Sequence, residues 1–174
     1  HFIIKALKLK HFQKISAIPY NTEKFRCVRL DNLLLLDSYS FLSASLNELM
    51  NNLMQNEEHK FEILDQMNLY DINDKEAKQL LLRKGVYCYE FVDSYETLIN
   101  TEDIPAKENF FSSLTNSNIS DEDYNHAKKV FKKFKCNNLK DYSELYCDTD
   151  VGILAEIFIQ FRKIIKNTFD LDCW

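Results

Sequence analysis

LKDYSELYCDTDVGILAEIFIQFRKIIKNTF, residues 139–169, carries the longest regular hydrophobic pattern in the chain. Leu139, Tyr142, Leu145, Tyr146, Ile153, Leu154, Ile157, Phe158, Phe161, Ile164 and Ile165 recur at steps that place them along one side of an α-helix. One long helix is therefore expected here. Near its head stand Tyr146 and Asp150, four residues apart and so one turn from each other on a shared face. Both can touch one ligand. An unpaired aspartate inside a buried helix is costly, which makes its presence a question. The competing account is that Asp148 and Asp150 sit in exposed first turns, near the positive end of the helix.

Working outward, Ser120 is a helix cap followed by Asp121, Glu122 and Asp123, all favourable at a helix N-terminus. Tyr124, Ala127, Val130, Phe131 and Phe134 would face inward. Lys128, Lys129, Lys132, Lys133 and Lys135 would crowd the outside and the end, as a solvated face or as a phosphate-contacting one. Residues 55–120 alternate short helical pieces with loops. One piece, DKEAKQLLLRKG, runs to Gly85. Residues 43–54 (SASLNELMNNLM) form a serine-capped helix whose periodic residues are Leu46, Leu49, Met50 and Leu53. Before it, ISAIPY, KFRCVRL and LLLLDSY are three short β-like runs with the spacing of a small antiparallel meander. Residues 2–13 pattern as an amphipathic helix.

The whole chain has 174 residues, enough for one domain with a core. Thirteen Phe and nine Tyr exclude the disordered class. Two Gly and two Pro are too few for a many-turned β-sandwich, a Gly-rich phosphate loop or a dinucleotide fingerprint. A net charge of -5 sets up no global attraction for nucleic acid, although a local basic cluster can still hold phosphate. Cys27, Cys88, Cys136, Cys147 and Cys173 show no CxxC pair and no Cys/His ligand spacing. They fit reduced thiols of the cytosol or nucleus better than a disulfide framework or a zinc site. No apolar run reaches 18 residues, so no membrane partner is expected.

Tyr and Asp at this spacing also occur as Tyr70 with Asp74 and Tyr89 with Asp93, so the bare pattern means little. The third copy is set apart by its flanks, DYSELY before it and VGILAEIFIQF after it. A carboxylate that holds a divalent ion beside a phenol that orients water is what phosphodiester hydrolysis by paired metal ions requires.

LLLRKGVYCYEFVDSYETL, IPAKENFFSSL, ISDEDYNHAKKVFKKF and LKDYSELYCDTDVGILAEIFIQFRK follow one another in an order that resembles family B DNA polymerases. The likeness is to the segment between their second and third exonuclease motifs, in the viral, organellar and transposon-borne enzymes of the protein-primed type. It covers the chain from His1 to about Phe169. The resemblance implies that Tyr146 and Asp150 are the third exonuclease motif. Asp150 would bind a catalytic divalent metal, Mg2+ or Mn2+, and Tyr146 would orient the attacking water or the scissile phosphate. It implies that Lys84, in the lysine motif KGVY, assists near that phosphate; the bland alternative is a solvated lysine beside a C-capping Gly85. Ser45 and Leu46 match a motif that contacts single-stranded DNA and the priming terminal protein. Their alternatives are a helix cap and a core residue.

Two departures from the family are visible. Cys88 stands where relatives read proline in KGVYPYE, and Gly152 stands where leucine is usual. Glycine inside a helix costs about 1 kcal/mol relative to alanine, which reads as relaxed selection. The first exonuclease motif has no counterpart here. The second motif's aspartate would fall just before His1, and the polymerase palm, fingers and thumb after Trp174. The expectation is thus a helix-rich α/β chain in which residues 1–174 are the C-terminal portion of an RNase H-like 3'-5' exonuclease domain with a small antiparallel sheet. It would serve a DNA-directed DNA polymerase acting on single-stranded or primer-template DNA, and would hydrolyse nothing by itself. The alternative is a non-catalytic helical protein-interaction module, or a decayed mobile-element remnant.

Overall fold

The computed structural model describes residues 12–21, 25–56 and 59–172. The helix expected at residues 2–13 falls at positions 1–11, outside the described residues, for all but its last two residues. The fold is α/β and helix-rich, and it divides into two compact units, His1–Ala44 and Ser45–Trp174.

In the first unit, β1 (Ile15–Pro19), β2 (Phe25–Leu30) and β3 (Leu33–Leu36) form a three-stranded antiparallel sheet in sequence order. The three β-like runs thus become the meander their spacing implies. Leu30 pairs with Leu33, so only Asp31 and Asn32 connect β2 to β3. Asp31 takes φ 52°, the left-handed conformation such a tight turn demands and one that Asp tolerates. Its carboxylate accepts from the backbone N–H of Lys14 at 2.7 Å and Gln13 at 3.1 Å, tying the turn to the approach of β1. Val28 and Leu30, two apart on one strand face, are buried.

The second unit holds α1 (Leu46–Met54), α2 (Glu62–Gln66), α3 (Lys75–Leu81), α4 (Tyr95–Asn100), α5 (Asp121–Lys133) and α6 (Leu139–Phe169). Five of these six start at a side-chain cap: Ser45, Asp74, Ser94, Ser120 and Asn138 each accept from a backbone N–H of the first turn. The sixth, α2, follows Phe61 and has no cap of its own. Glu156, buried on α6, reaches across and accepts from the N–H of Ile63 at 2.6 Å and of Leu64 at 3.1 Å.

The first half of α6 is the axis of the unit. Leu139 and Tyr142 pack with Cys88, Ile104, Phe110, Ala127, Val130 and Phe131. Farther along, Ile153 and Ile157 are buried, as are Met50 and Leu53 of α1 and Leu64 of α2, helices that both pack on α6. Gly152 lies where α2 comes closest: a Cβ there would stand 2.7 Å from Met67 Sδ and 2.9 Å from Leu64 Cδ1. This corrects the relaxed-selection account of Gly152. The helix-propensity penalty is exchanged for close approach of a neighbouring helix. Beyond Phe158 the apolar pattern outruns its cover, and Ile159 and Ile164 are exposed. Among the described residues no helix is long and apolar enough to cross a membrane.

Candidate active site

The site is built where residues 84–92 run along α6. The helix expected to reach Gly85 stops at Leu81, and Gly85 is not a left-handed C-cap, since no glycine has positive φ. Its small size serves another purpose. A Cβ on Gly85 would lie 2.5 Å from Cδ2 and 2.8 Å from Cε2 of Tyr146, so only glycine lets that ring lie flat against the backbone.

Three hydrogen bonds fix the register. The Tyr142 hydroxyl donates to the carbonyl of Val86 at 2.6 Å, the Tyr87 hydroxyl meets Ser143 Oγ at 2.6 Å, and the Tyr89 hydroxyl meets the Tyr146 hydroxyl at 2.5 Å. The rings interlock as well. Tyr87 stacks on Tyr146 with centroids 5.1 Å apart, and Tyr89 meets the edges of both Tyr87 and Tyr146. Aromatic pairs in these geometries contribute about 0.5–1.5 kcal/mol each beyond their burial. Cys88, the residue in place of the family proline, is buried beneath this segment, and burial pushes its thiol up to about 11.

Asp150 follows Tyr146 by one turn. It is not in an exposed first turn of α6 but about half-buried, with Oδ1 shut off from solvent and without a hydrogen-bond partner among the described residues. Burial pushes its carboxyl above the ordinary range; polar interaction with the Tyr146 hydroxyl and the positive charge of Lys84 pull partly against that. The Tyr146 phenol is driven well above its usual value, first by burial, then by its bond to Tyr89 and the neighbouring Asp150 charge. It therefore stays a neutral hydroxyl throughout the physiological range.

Of the residues expected together on the family resemblance, Asp150 thus lies within electrostatic reach of both Lys84 and Tyr146. Ser45 and Leu46 do not join them. Ser45 Oγ accepts from the Glu48 N–H at 3.2 Å and donates to Glu48 Oε2 at 2.8 Å, a complete capping box, and Leu46 is half-buried at the start of α1. Neither shares a hydrogen bond or ion pair with Lys84, Tyr146 or Asp150 among the described residues.

The other two Tyr/Asp spacings end in ordinary structural roles. Asp74 caps α3, accepting from the Ala77 N–H at 3.0 Å, and pairs with Lys133 at 3.0 Å, while Tyr70 turns instead to Asp65. Asp93 accepts from Thr97 Oγ1 at 2.6 Å. Lys133, one of the lysines of α5, is also held by Glu76. Lys128 lies over the ring of Tyr124.

Two features escaped the sequence reading. Tyr87 and Tyr89 were visible as alternating aromatics in KGVYCYE, but nothing local said which helix they would meet. Glu156 is a lone acid among the apolar residues of α6, and nothing in its local sequence points to the helix N-terminus it caps.

A carboxylate oxygen buried without a hydrogen-bond partner among the described residues is the kind of hard ligand that Mg2+ or Mn2+ takes. One carboxylate does not hold such an ion alone, and among the described residues no group of three or more His, Cys, Asp or Glu is placed to do so. Asp150 thus fits one ligand position and leaves the others to be supplied. Comparison of the chain with family models, with curated proteins and with solved structures finds no match.

Proposed function

We propose that this chain is a portion of the 3'-5' proofreading exonuclease of a family B-type DNA-directed DNA polymerase, with an RNase H-like ancestry for its α/β fold. The observation that carries the assignment is the convergence of Lys84, Tyr146 and Asp150, drawn from two separate segments, around a buried carboxylate oxygen that nothing in the described residues satisfies. Asp74 and Asp93 are held by hydrogen bonds at 3.0 and 2.6 Å, whereas Asp150 keeps Oδ1 unsatisfied among the described residues.

The bound divalent ion, Mg2+ or Mn2+, would supply a Lewis acid and an activated water for phosphodiester cleavage. Asp150 would hold one coordination position, and further carboxylates of a longer polypeptide the rest. Tyr146, kept neutral and steered by Tyr89, would donate its hydroxyl proton to the attacking water or to a phosphate oxygen. Lys84 would face the charge that develops on the phosphate, where a fixed cation does most in a partly desolvated site. Ser45 and Leu46, at the head of α1, would meet single-stranded DNA or a priming terminal protein through the exposed rim of the cap.

The test joins the chain to the coding sequence that precedes it and follows degradation of an end-labelled single-stranded oligonucleotide with Mg2+ or Mn2+. Asp150→Ala should lower the rate by about 100-fold or more, the scale of losing one preorganised electrostatic group. Tyr146→Phe keeps the ring against Gly85 and should lower the rate less. Full activity in Asp150→Ala would sink the assignment.

A further inference from the structure

Thr149 immediately precedes Asp150 on α6 and is 4% exposed. Its hydroxyl oxygen is shut off from solvent and has no hydrogen-bond partner among the described residues. A buried hydroxyl in that state is costly. Beside it lies a cavity of about 20 Å³, whose walls include Thr149, Tyr146, Gly85, Arg83, Tyr142 and His126. Roughly 10–15 Å³ is enough to hold one water, provided that two or more polar groups reach it.

Gly85 brings the second polar group. It presents only backbone to the cavity, and its N–H makes no hydrogen bond among the described residues. The other polar groups of the wall have work elsewhere: the Arg83 guanidinium is held by Asp123 and Glu122, and the Tyr142 hydroxyl donates to the Val86 carbonyl. Two unsatisfied polar groups on one water-sized cavity call for the molecule that joins them. We infer that one ordered water occupies this cavity, accepting from the Gly85 N–H and donating to Thr149 Oγ1, and that Thr149 is thereby a positioning residue for the site on α6.

The effect on the site follows from chain connectivity. Lys84 precedes Gly85 as Thr149 precedes Asp150, so a bridge between Gly85 and Thr149 fixes how the lysine and the aspartate are held apart. Lys84 is exposed, and its place depends on the backbone that carries it. What Lys84 and Asp150 then do rests on the proposed function; the water does not.

The test is NMR spectroscopy of the complete isotope-labelled chain. A water-to-amide Overhauser contact is expected at Gly85. Thr149→Val keeps the shape and the methyl contacts and removes the hydroxyl. It should abolish that contact and speed exchange of the Gly85 amide by about 5-fold or more, the scale of one lost hydrogen bond. Thr149→Ser keeps the hydroxyl and should preserve both the contact and the exchange rate.

Absence of a water contact at Gly85, or its persistence in Thr149→Val, would overturn the inference. So would an unchanged Gly85 exchange rate in Thr149→Val, the result if Thr149 Oγ1 bonded the Leu145 carbonyl one turn back on α6 instead. An equal loss in Thr149→Ser would assign the effect to packing and overturn it as well. None of these outcomes alters what Asp150→Ala does to oligonucleotide degradation, so this inference and the proposed function fail separately.

Discussion

Asp150 and Glu156 lie six residues apart on the same helix, both withdrawn from solvent, and their surroundings are opposite. Glu156 is buried to 3% exposure, and one oxygen is held by two backbone N–H groups at the bare N-terminus of α2. Its other oxygen lies 3.4 Å from His59 Nε2, a contact of charge-pair distance without hydrogen-bond geometry. Asp150 keeps an oxygen with no partner among the described residues. A buried acid that is fully used is part of the scaffold; one left with unspent hydrogen-bonding capacity beside a lysine and a neutral phenol is a candidate for chemistry.

The sharpest way to break this contrast is to remove the scaffold acid. Glu156→Ala strands two N–H groups of α2 and the buried His59, and should lower unfolding stability by about 3 kcal/mol in urea titration. A loss no larger than that of a surface substitution would show that α2 is held by packing alone.

Next in size come the two glycines, which separate scaffold from site in another way. Gly85→Ala forces the Tyr146 ring off the backbone and should cost about 2 kcal/mol, with a changed near-ultraviolet circular dichroism spectrum from the displaced tyrosines. Gly152→Ala meets Met67 and Leu64 instead. Met67 can move, and alanine regains about 1 kcal/mol of helix propensity, so the net loss should be about 1 kcal/mol with the tyrosine signals intact. Identical spectra for the two variants would mean that Tyr146 is not positioned by Gly85.

The smallest expected effect is the most diagnostic. Because burial raises the Asp150 carboxyl in the folded state, the native protein holds that proton more tightly than the unfolded chain does. Asp150 therefore opposes folding once the pH rises above its folded value, and the effect vanishes as the pH falls below the unfolded value of about 3.9. Asp150→Asn should leave neutral-pH stability unchanged or slightly improved, as seen by thermal unfolding across pH. Asp65 behaves in the opposite sense: burial works against its charge, but Lys78 at 2.7 Å and Tyr70 outweigh it and lower its pKa. Its contribution is present above the unfolded value and lost as the pH falls through the folded one. A clear loss of stability in Asp150→Asn at neutral pH would make Asp150 a structural residue like Glu156.

Much of the framework was legible because it is local. The period of residues 139–169 predicts α6 over the same span the structure shows, and the serine before three acids predicts the cap of α5. The three strands follow from short runs broken by turn residues. Local patterns failed where a residue answers to a distant one. Gly85 looked like a helix stop and Gly152 like a blemish, because the ring of Tyr146 and the side chains of Leu64 and Met67 that explain them come from other segments. The three Tyr/Asp spacings were equivalent as spacings, and only their surroundings told them apart.

The sequence by itself determined the helices, the strands, the caps and the pairing of Tyr146 with Asp150 on one helical face, since each depends on periodicity and on neighbours within a turn. Tertiary structure alone decided that Lys84 and Tyr89 come to Asp150 and Tyr146, that Glu156 caps another helix, and that one oxygen of Asp150 is left without a partner among the described residues. Hydrogen-bond satisfaction and desolvation are set by what folds against a residue, and contacts spanning some sixty to ninety positions are not encoded in any local period.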